Sequence, residues 1–95
     1  MDTKRYEQRL ATGTNFKIPK GANGDHNLEV DRIFLTATAL STVVFSDGTK
    51  SVTFDVGAGS FVEFCGGITF TGDADITVTA TGGTCTVICD VKTKR

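Results

Sequence analysis

The segment from residue 43 to residue 91 consists of short runs in which apolar and polar residues alternate, with glycine-containing turns between them. In the last run, Cys85 and Val87 fall on one face, whereas Thr84 and Thr86 fall on the other. Successive side chains of a β-strand point to opposite faces, so this alternation predicts strands with one buried and one solvent-exposed face. Strands spaced about 8–12 residues apart, joined by such turns, predict an all-β chain, either a small antiparallel β-sandwich or a partly closed barrel.

The predicted β-sandwich domain spans residues 28–95. Its first run, LEVDRIFLTATAL, is too long for one short strand and predicts a bend near Asp31-Arg32. Further along, Asp47 and Gly48 separate two β-type runs, and an Asp-Gly pair in this position is a strong hairpin signal. The domain is therefore expected to begin with a bent strand and to continue as a series of hairpins.

Residues 1–27 differ in composition, because they contain few apolar side chains and the only proline of the chain, Pro19. The run Phe-Lys-Ile-Pro suits a strand added to the edge of a sheet, either in this chain or in a neighbouring subunit. A spacing of four between Tyr6 and Leu10 also fits a short helical turn. A floppy terminus is one interpretation, and an extended N-terminal arm that docks on another subunit is the one we favour. The arm would dock through four spaced anchors, Tyr6, Leu10, Phe16 and Ile18.

The length of 95 residues indicates one domain, and a net charge of −1 with 22% charged residues is typical of globular proteins. A charge near zero argues against a dedicated nucleic-acid binder, which usually carries a strongly basic face. No apolar run approaches the roughly 18 residues that a membrane-spanning helix needs. The first ten residues are not followed by an apolar segment, so we expect no secretory signal and synthesis in a cytoplasm.

The three cysteines are Cys65, Cys85 and Cys89. Four residues along one strand place the Cα atoms of Cys85 and Cys89 about 13 Å apart, beyond disulfide reach. Cys65 could face either of them across a sheet. Three interpretations stay open: buried reduced thiols, which we favour, one disulfide that includes Cys65, or a zinc site, for which the spacing is poor.

The residues that could carry chemistry are few. His26 is the only histidine, and it lies in a Gly/Asn/Asp loop without a positioned nucleophile. Asp73 and Asp75 could present oxygens to Ca²⁺, but a D-x-D pair between two strands better fits a turn. Glu63 lies on a strand that otherwise looks buried, so we expect it to pair with a Lys or Arg of another subunit or to lie at an edge. The sequence predicts no enzyme, no cofactor and no metal site.

The run from Phe61 to Cys65 places apolar side chains on both faces of one strand, with Val62 and Phe64 opposite Phe61. A two-layer sandwich covers only one face of each sheet, so we expect Val62 and Phe64, or else Phe61, to contact another subunit. Tryptophan is absent, which disfavours an aromatic sugar-binding platform. Six phenylalanines occupy core-like positions in the alternating runs: Phe34, Phe45, Phe54, Phe61, Phe64 and Phe70.

The segment from Thr38 onward reads TALSTVVFSDGTKSVTFDVGAGSFVEFCGGITFTGDADITVTATGGTCTVICDV. Its strand, DG hairpin, glycine-rich turn, GG-I-x-F step and closing threonine-rich hairpin resemble the small all-β virion proteins of tailed bacteriophages. The resemblance implies a virion protein without cofactor or catalytic activity. The function we expect is an oligomeric capsid decoration or cement subunit, with copies of itself and a major capsid or other virion protein as partners. The alternative is a small ligand-binding β-module for a sugar or a host receptor.

Overall fold

The computed structural model describes residues 3–20 and 27–94. These residues form eight β-strands: β1 (Thr3–Leu10), β2 (Asn15–Ile18), β3 (Asn27–Ala37), β4 (Ser41–Ser46), β5 (Ser51–Val56), β6 (Phe61–Phe70), β7 (Ile76–Thr81) and β8 (Cys85–Lys94). None of the described residues belongs to a helix that is long and apolar enough to cross a membrane.

The strands form two four-stranded antiparallel sheets. The first sheet has the order β1-β8-β3-β6, and the second has the order β2-β7-β4-β5. Most connections cross from one sheet to the other, and the β4–β5 hairpin is the one that stays within a sheet. This strand order is that of a double-sheet jelly roll. The predicted all-β antiparallel sandwich is confirmed, and the two sheets of the described residues do not close into a barrel.

The core lies between the two sheets and follows the predicted alternation. In β8, Cys85, Val87, Cys89 and Val91 are buried, whereas the residues between them are half-buried on the outer face. Two aromatic rings, Phe45 and Phe70, are the largest fully buried side chains. Apolar side chains alternate inward on both sheets, so burial of one face of each sheet holds the sandwich together.

The bend predicted near Asp31-Arg32 is a β-bulge in β3. Pairing of β3 with both of its neighbours shifts register between Val30 and Arg32. Opposite β8 the extra residue is Asp31, whereas opposite β6 the extra residue belongs to the Gly66-Gly67 step of β6. Before the bulge the even-numbered residue Val30 is buried, and after it the odd-numbered residue Ile33 is buried. A bulge switches the parity of inward-facing positions, which lets one eleven-residue strand keep its apolar side chains in the core.

The prediction of an extended arm outside the domain is wrong for residues 3–20, as is the helical turn. Strand β1 pairs with β8 along its whole length, from Thr3 opposite Lys92 to Leu10 opposite Cys85. Strand β2 pairs with β7 in the second sheet. An edge strand gains backbone hydrogen bonds on one side and needs few inward side chains, so a polar, charged segment can serve as one. The rest of the proposed arm, residues 21–26, lies outside the described residues.

Candidate interaction surfaces

Each sheet ends in two edge strands, and these edges meet in pairs at the two sides of the sandwich. Strands β1 and β2 lie next to each other at one side, and β5 and β6 lie next to each other at the other. We call these the β1/β2 side and the β5/β6 side. No further described strand pairs with them, so each side presents unpaired backbone donors and acceptors.

The β5/β6 side is lined by apolar side chains that the core covers only in part. Phe54 of β5 and Phe64 of β6 meet edge to face across the gap between the sheets, with ring centroids 5.9 Å apart. Val52 and Val62 pack against the core beside them and are also half-buried. An aromatic cluster of this kind gains further burial when another chain covers the open side.

The β1/β2 side has its own pair of half-buried rings, Tyr6 and Phe16. The Lys4 ammonium lies 5.3 Å from the centre of the Tyr6 ring, within cation–π range. Burial raises the pKa of the Tyr6 hydroxyl, with the nearby Cys89 as a second cause. Leu10 and Ile18 do not belong to this surface, because they are 5% and 0% exposed and fill the core of their own chain.

The predicted contact residues of β6 are divided between two surfaces. Val62 and Phe64 face inward at the β5/β6 side, whereas Phe61 is 64% exposed on the outer face of the first sheet. There Phe61 stacks on Phe34 of the neighbouring strand β3, with ring centroids 5.5 Å apart. These two rings are therefore not core residues, although the alternating pattern places them at core-like positions and predicts that most of the six phenylalanines are in the core. Phe34 shares its face of β3 with the polar residues Arg32 and Thr36, and this pattern in the sequence could have indicated that the face is exposed to solvent.

The outer face of the first sheet also carries a groove of about 220 Å³ beside this aromatic pair. Side chains of all four strands line it, among them Arg5, Arg32, Phe34, Glu63, Ile88 and Asp90. The guanidinium of Arg5 donates to the Asp90 carboxylate from Nε at 2.9 Å and from Nη2 at 3.4 Å. This hydrogen bond lowers the pKa of Asp90, against the opposing effect of burial, and Arg32 contributes as a further nearby positive charge. The groove thus combines an aromatic wall with a row of charges.

Glu63 lies on the outer face of β6, where it is exposed. Of the two expectations for this carboxylate, the edge position is the correct one within the chain, because β6 is an edge strand. Its neighbours in register are Phe34 and, one strand further, Ile88. An exposed carboxylate beside two apolar side chains remains available to a cation of another molecule.

The thiols are free in the described structure, and their environments differ. Cys85 and Cys89 are buried, as predicted, and burial raises the pKa of Cys89 to about 12, with Asp90 as a second cause. Cys65 was also predicted to be buried, but it is exposed on the outer face of β6, opposite Arg32 of β3. It shares the parity of Phe61 and Glu63, and on this strand that parity faces solvent.

The remaining candidates for chemistry are placed as follows. Asp75 accepts a 2.8 Å hydrogen bond from the backbone amide of Lys20 and so ties the segment after β2 to the β6–β7 turn. Asp73 is exposed in the same turn. No group of three His, Cys, Asp or Glu side chains within residues 3–20 and 27–94 could hold a metal ion. His26 lies outside the described residues.

No protein-family model matches the chain, and no curated protein matches its sequence. Among solved structures, the chain is similar to one from Bacillus endospore appendages, which are described as a novel family of disulfide-linked pili. The two chains share 19% sequence identity with a TM-score of 0.56, and the match covers 98% of this chain and 86% of that one. At this identity the similarity establishes the fold, an all-β sandwich of small size.

Proposed function

We propose that this protein is a non-enzymatic structural subunit that acts in an assembly of many copies. The observation that carries the proposal is the pair of open sides, each with unpaired strand edges and a pair of half-buried aromatic rings. Edge strands of this kind bind other strands through their backbones, with side-chain pockets adding specificity. Many copies of one weak contact give a stable assembly, because each bound subunit stabilises the next.

Two settings fit this role. A polymer of identical subunits is supported by the fold, which this chain shares with a subunit of disulfide-linked pili. A decoration or cement subunit on a phage capsid, and hence a virion location, is supported by the sequence pattern from Thr38 onward. The two settings differ in the partner: the first needs only copies of this chain, and the second needs a capsid protein as well.

A ligand-binding module is the second candidate function, and one surface favours it. The groove beside the stacked rings of Phe34 and Phe61 offers an aromatic wall together with Arg32 and Glu63. Exposed aromatic rings with nearby charges can hold a sugar or a peptide. This candidate predicts a saturable ligand for the monomer and requires no self-association.

Size-exclusion chromatography with light scattering over a wide concentration range tests the proposed function. We expect masses above that of the 10.1 kDa chain, rising with concentration. Thr53→Lys, on the outer face of edge strand β5, should lower these masses because lysine on an edge opposes strand addition. Thr79→Lys, on the same outer face but in the inner strand β7, adds the same charge away from an edge and serves as the control.

Two further results separate the settings. Sedimentation of the protein with purified capsids would favour decoration, whereas filaments or rings of the protein alone, seen by electron microscopy, would favour a polymer. A protein that stays monomeric at every concentration and does not sediment with any capsid contradicts the proposed function, and the ligand-binding candidate then takes its place.

A further inference from the structure

The two open sides of the sandwich carry opposite charge. The strands of the β1/β2 side contain four basic residues and one acidic residue: Lys4, Arg5, Arg9, Lys17 and Glu7. The strands of the β5/β6 side contain two acidic residues and no basic ones: Asp55 and Glu63. The overall charge of −1 conceals this asymmetry.

These charges are available to another molecule. Six of the seven are exposed and form no salt bridge within the described residues: Lys4, Glu7, Arg9, Lys17, Asp55 and Glu63. Arg5 is already paired with Asp90, which leaves the other basic residues of this side to meet a partner. Two cations lie near the acidic side: Arg32 of β3 lines the same groove as Glu63, and the Lys50 ammonium in the β4–β5 turn donates to the carbonyl oxygen of Thr69 at 3.0 Å.

Each of the two sides also carries a pair of aromatic side chains that could pack against those of the other side. Tyr6 and Phe16 line the β1/β2 side, and Phe54 and Phe64 line the β5/β6 side, with all four half-buried and packed on the core. Each side therefore consists of a partly covered aromatic pair between two unpaired strand edges, flanked by strand charges that are mainly basic at the β1/β2 side and acidic at the β5/β6 side. Two such sides fit each other, because joining them pairs backbone edges, buries rings and neutralises charges together.

We propose that copies of this chain associate head to tail, with the basic β1/β2 side of one copy against the acidic β5/β6 side of the next. This inference rests on the proposed function and specifies its contact. Two identical sides repel each other, so a symmetric dimer through either side is disfavoured. A contact between two different sides leaves one of each free, and repetition gives a ring or an open filament. Opposite charges outside the core of a contact are screened by salt, so assembly should weaken as ionic strength rises.

The test uses two variants with one reversed side each. The first carries Asp55→Lys and Glu63→Lys, so that both of its sides are basic. The second carries Arg9→Glu and Lys17→Glu, so that acidic residues outnumber basic ones on both of its sides. Each variant alone should need at least about a tenfold higher concentration to reach half-assembly than the natural chain. An equimolar mixture should assemble better than the first variant alone, and a chain with all four changes should regain part of the lost association.

The control carries Thr79→Lys and Thr81→Lys, which add positive charge to the outer face of inner strand β7 at positions that do not lie opposite Lys17. It should assemble as the natural chain does, and thermal melting should show that all variants fold. If a reversed variant does not fold, the salt dependence of the natural chain still decides the matter.

Each outcome has a distinct meaning. A natural chain that forms multimers whose mass changes neither with salt nor with charge reversal overturns the head-to-tail contact but leaves the proposed function standing. A natural chain that is monomeric throughout overturns both. Symmetric dimers as the largest species would also overturn this inference, because a head-to-tail contact does not stop at two.

Discussion

The carboxylate of Asp47 accepts a 2.8 Å hydrogen bond from the backbone amide of Gly72, twenty-five residues further along the chain. Its other oxygen accepts from the amides of Thr49 and Lys50 at 2.9 and 2.7 Å. One side chain, 3% exposed, thereby holds the β4–β5 turn and the β6–β7 turn together. Glycine suits position 72, because a Cβ there would lie 2.6 Å from the Asp47 Oδ2 atom.

Replacing Asp47 with alanine should lower the free energy of unfolding by about 2–4 kcal/mol, because three backbone amides lose a charged acceptor. Urea unfolding monitored by circular dichroism measures the change. Asp73→Ala, in the neighbouring turn, is the matched control, since Asp73 is exposed. Equal, small effects for the two variants would contradict the role given to Asp47.

The same carboxylate should make stability depend on pH. Burial raises the pKa of Asp47, but the amides of Lys50, Thr49 and Gly72 outweigh it, and the pKa lies below its ordinary value. A group with a depressed folded-state pKa stabilises the fold at pH above its unfolded-state pKa, and this contribution is lost as the pH falls through the folded-state pKa. The hydrogen bond from Arg5 likewise lowers the pKa of Asp90, so this carboxylate also stabilises the fold less as the pH falls.

We therefore expect the melting temperature to decrease once the pH drops below about 4, because Asp carboxyls become protonated in that range. Asp47→Asn should show a shallower fall than the natural chain. A parallel pH profile for the two proteins would show that other carboxyls cause the acid sensitivity.

The alternation of polar and apolar residues was sufficient to predict the sandwich, and the length of the first run was sufficient to predict a bend in β3. In Val43 to Val91, turns and period-two runs are local signals, and β8 buries the side chains that its pattern predicts. The bend predicted near Asp31-Arg32 is a bulge in the structure, and the change in parity of the apolar positions between Val30 and Ile33 is its trace in the sequence. Both features depend on burial of one sheet face, which a short window of sequence records.

Edge strands were harder to recognise. Strand β1 reads Thr-Lys-Arg-Tyr-Glu-Gln-Arg-Leu and contributes one buried residue, Leu10, because its stability comes from backbone pairing with β8. Backbone pairing leaves no trace in composition. The two open sides could be identified only from the three-dimensional arrangement, because no local sequence pattern shows that Phe54 and Phe64 are in contact.

The thiols should differ in reactivity. In the native protein, one thiol should react with a thiol-specific reagent, because Cys65 is exposed, whereas Cys85 and Cys89 are buried. All three should react after denaturation. Cys65→Ser should abolish the native reaction and leave two thiols on denaturation. Three fast-reacting thiols in the native state would mean that the core opens readily.

Truncation of two phenylalanines should change the free energy of unfolding by very different amounts. Phe70→Ala should destabilise the fold by about 3–5 kcal/mol, because Phe70 is 1% exposed and its loss leaves a cavity. Phe61→Ala should change the free energy of unfolding by less than about 1 kcal/mol, because Phe61 is 64% exposed and loses only its stacking on Phe34. Denaturant titration distinguishes the two. A large effect of Phe61→Ala would indicate that the monomer depends on the outer aromatic pair.

The N-terminal strands should be necessary for folding. Deletion of residues 1–20 removes β1 and β2, takes Leu10 and Ile18 out of the core, and exposes the edges of β8 and β7. We expect the truncated chain to lose its cooperative unfolding transition, since a domain of this size has little stability to spare. Leu10→Ala tests the same point with one side chain and should lower the free energy of unfolding by about 2–5 kcal/mol. Gln8→Ala, an exposed position on the same strand, should cost far less. A truncated chain that still melts cooperatively with a β-sheet spectrum would show that residues 27–94 fold without these strands.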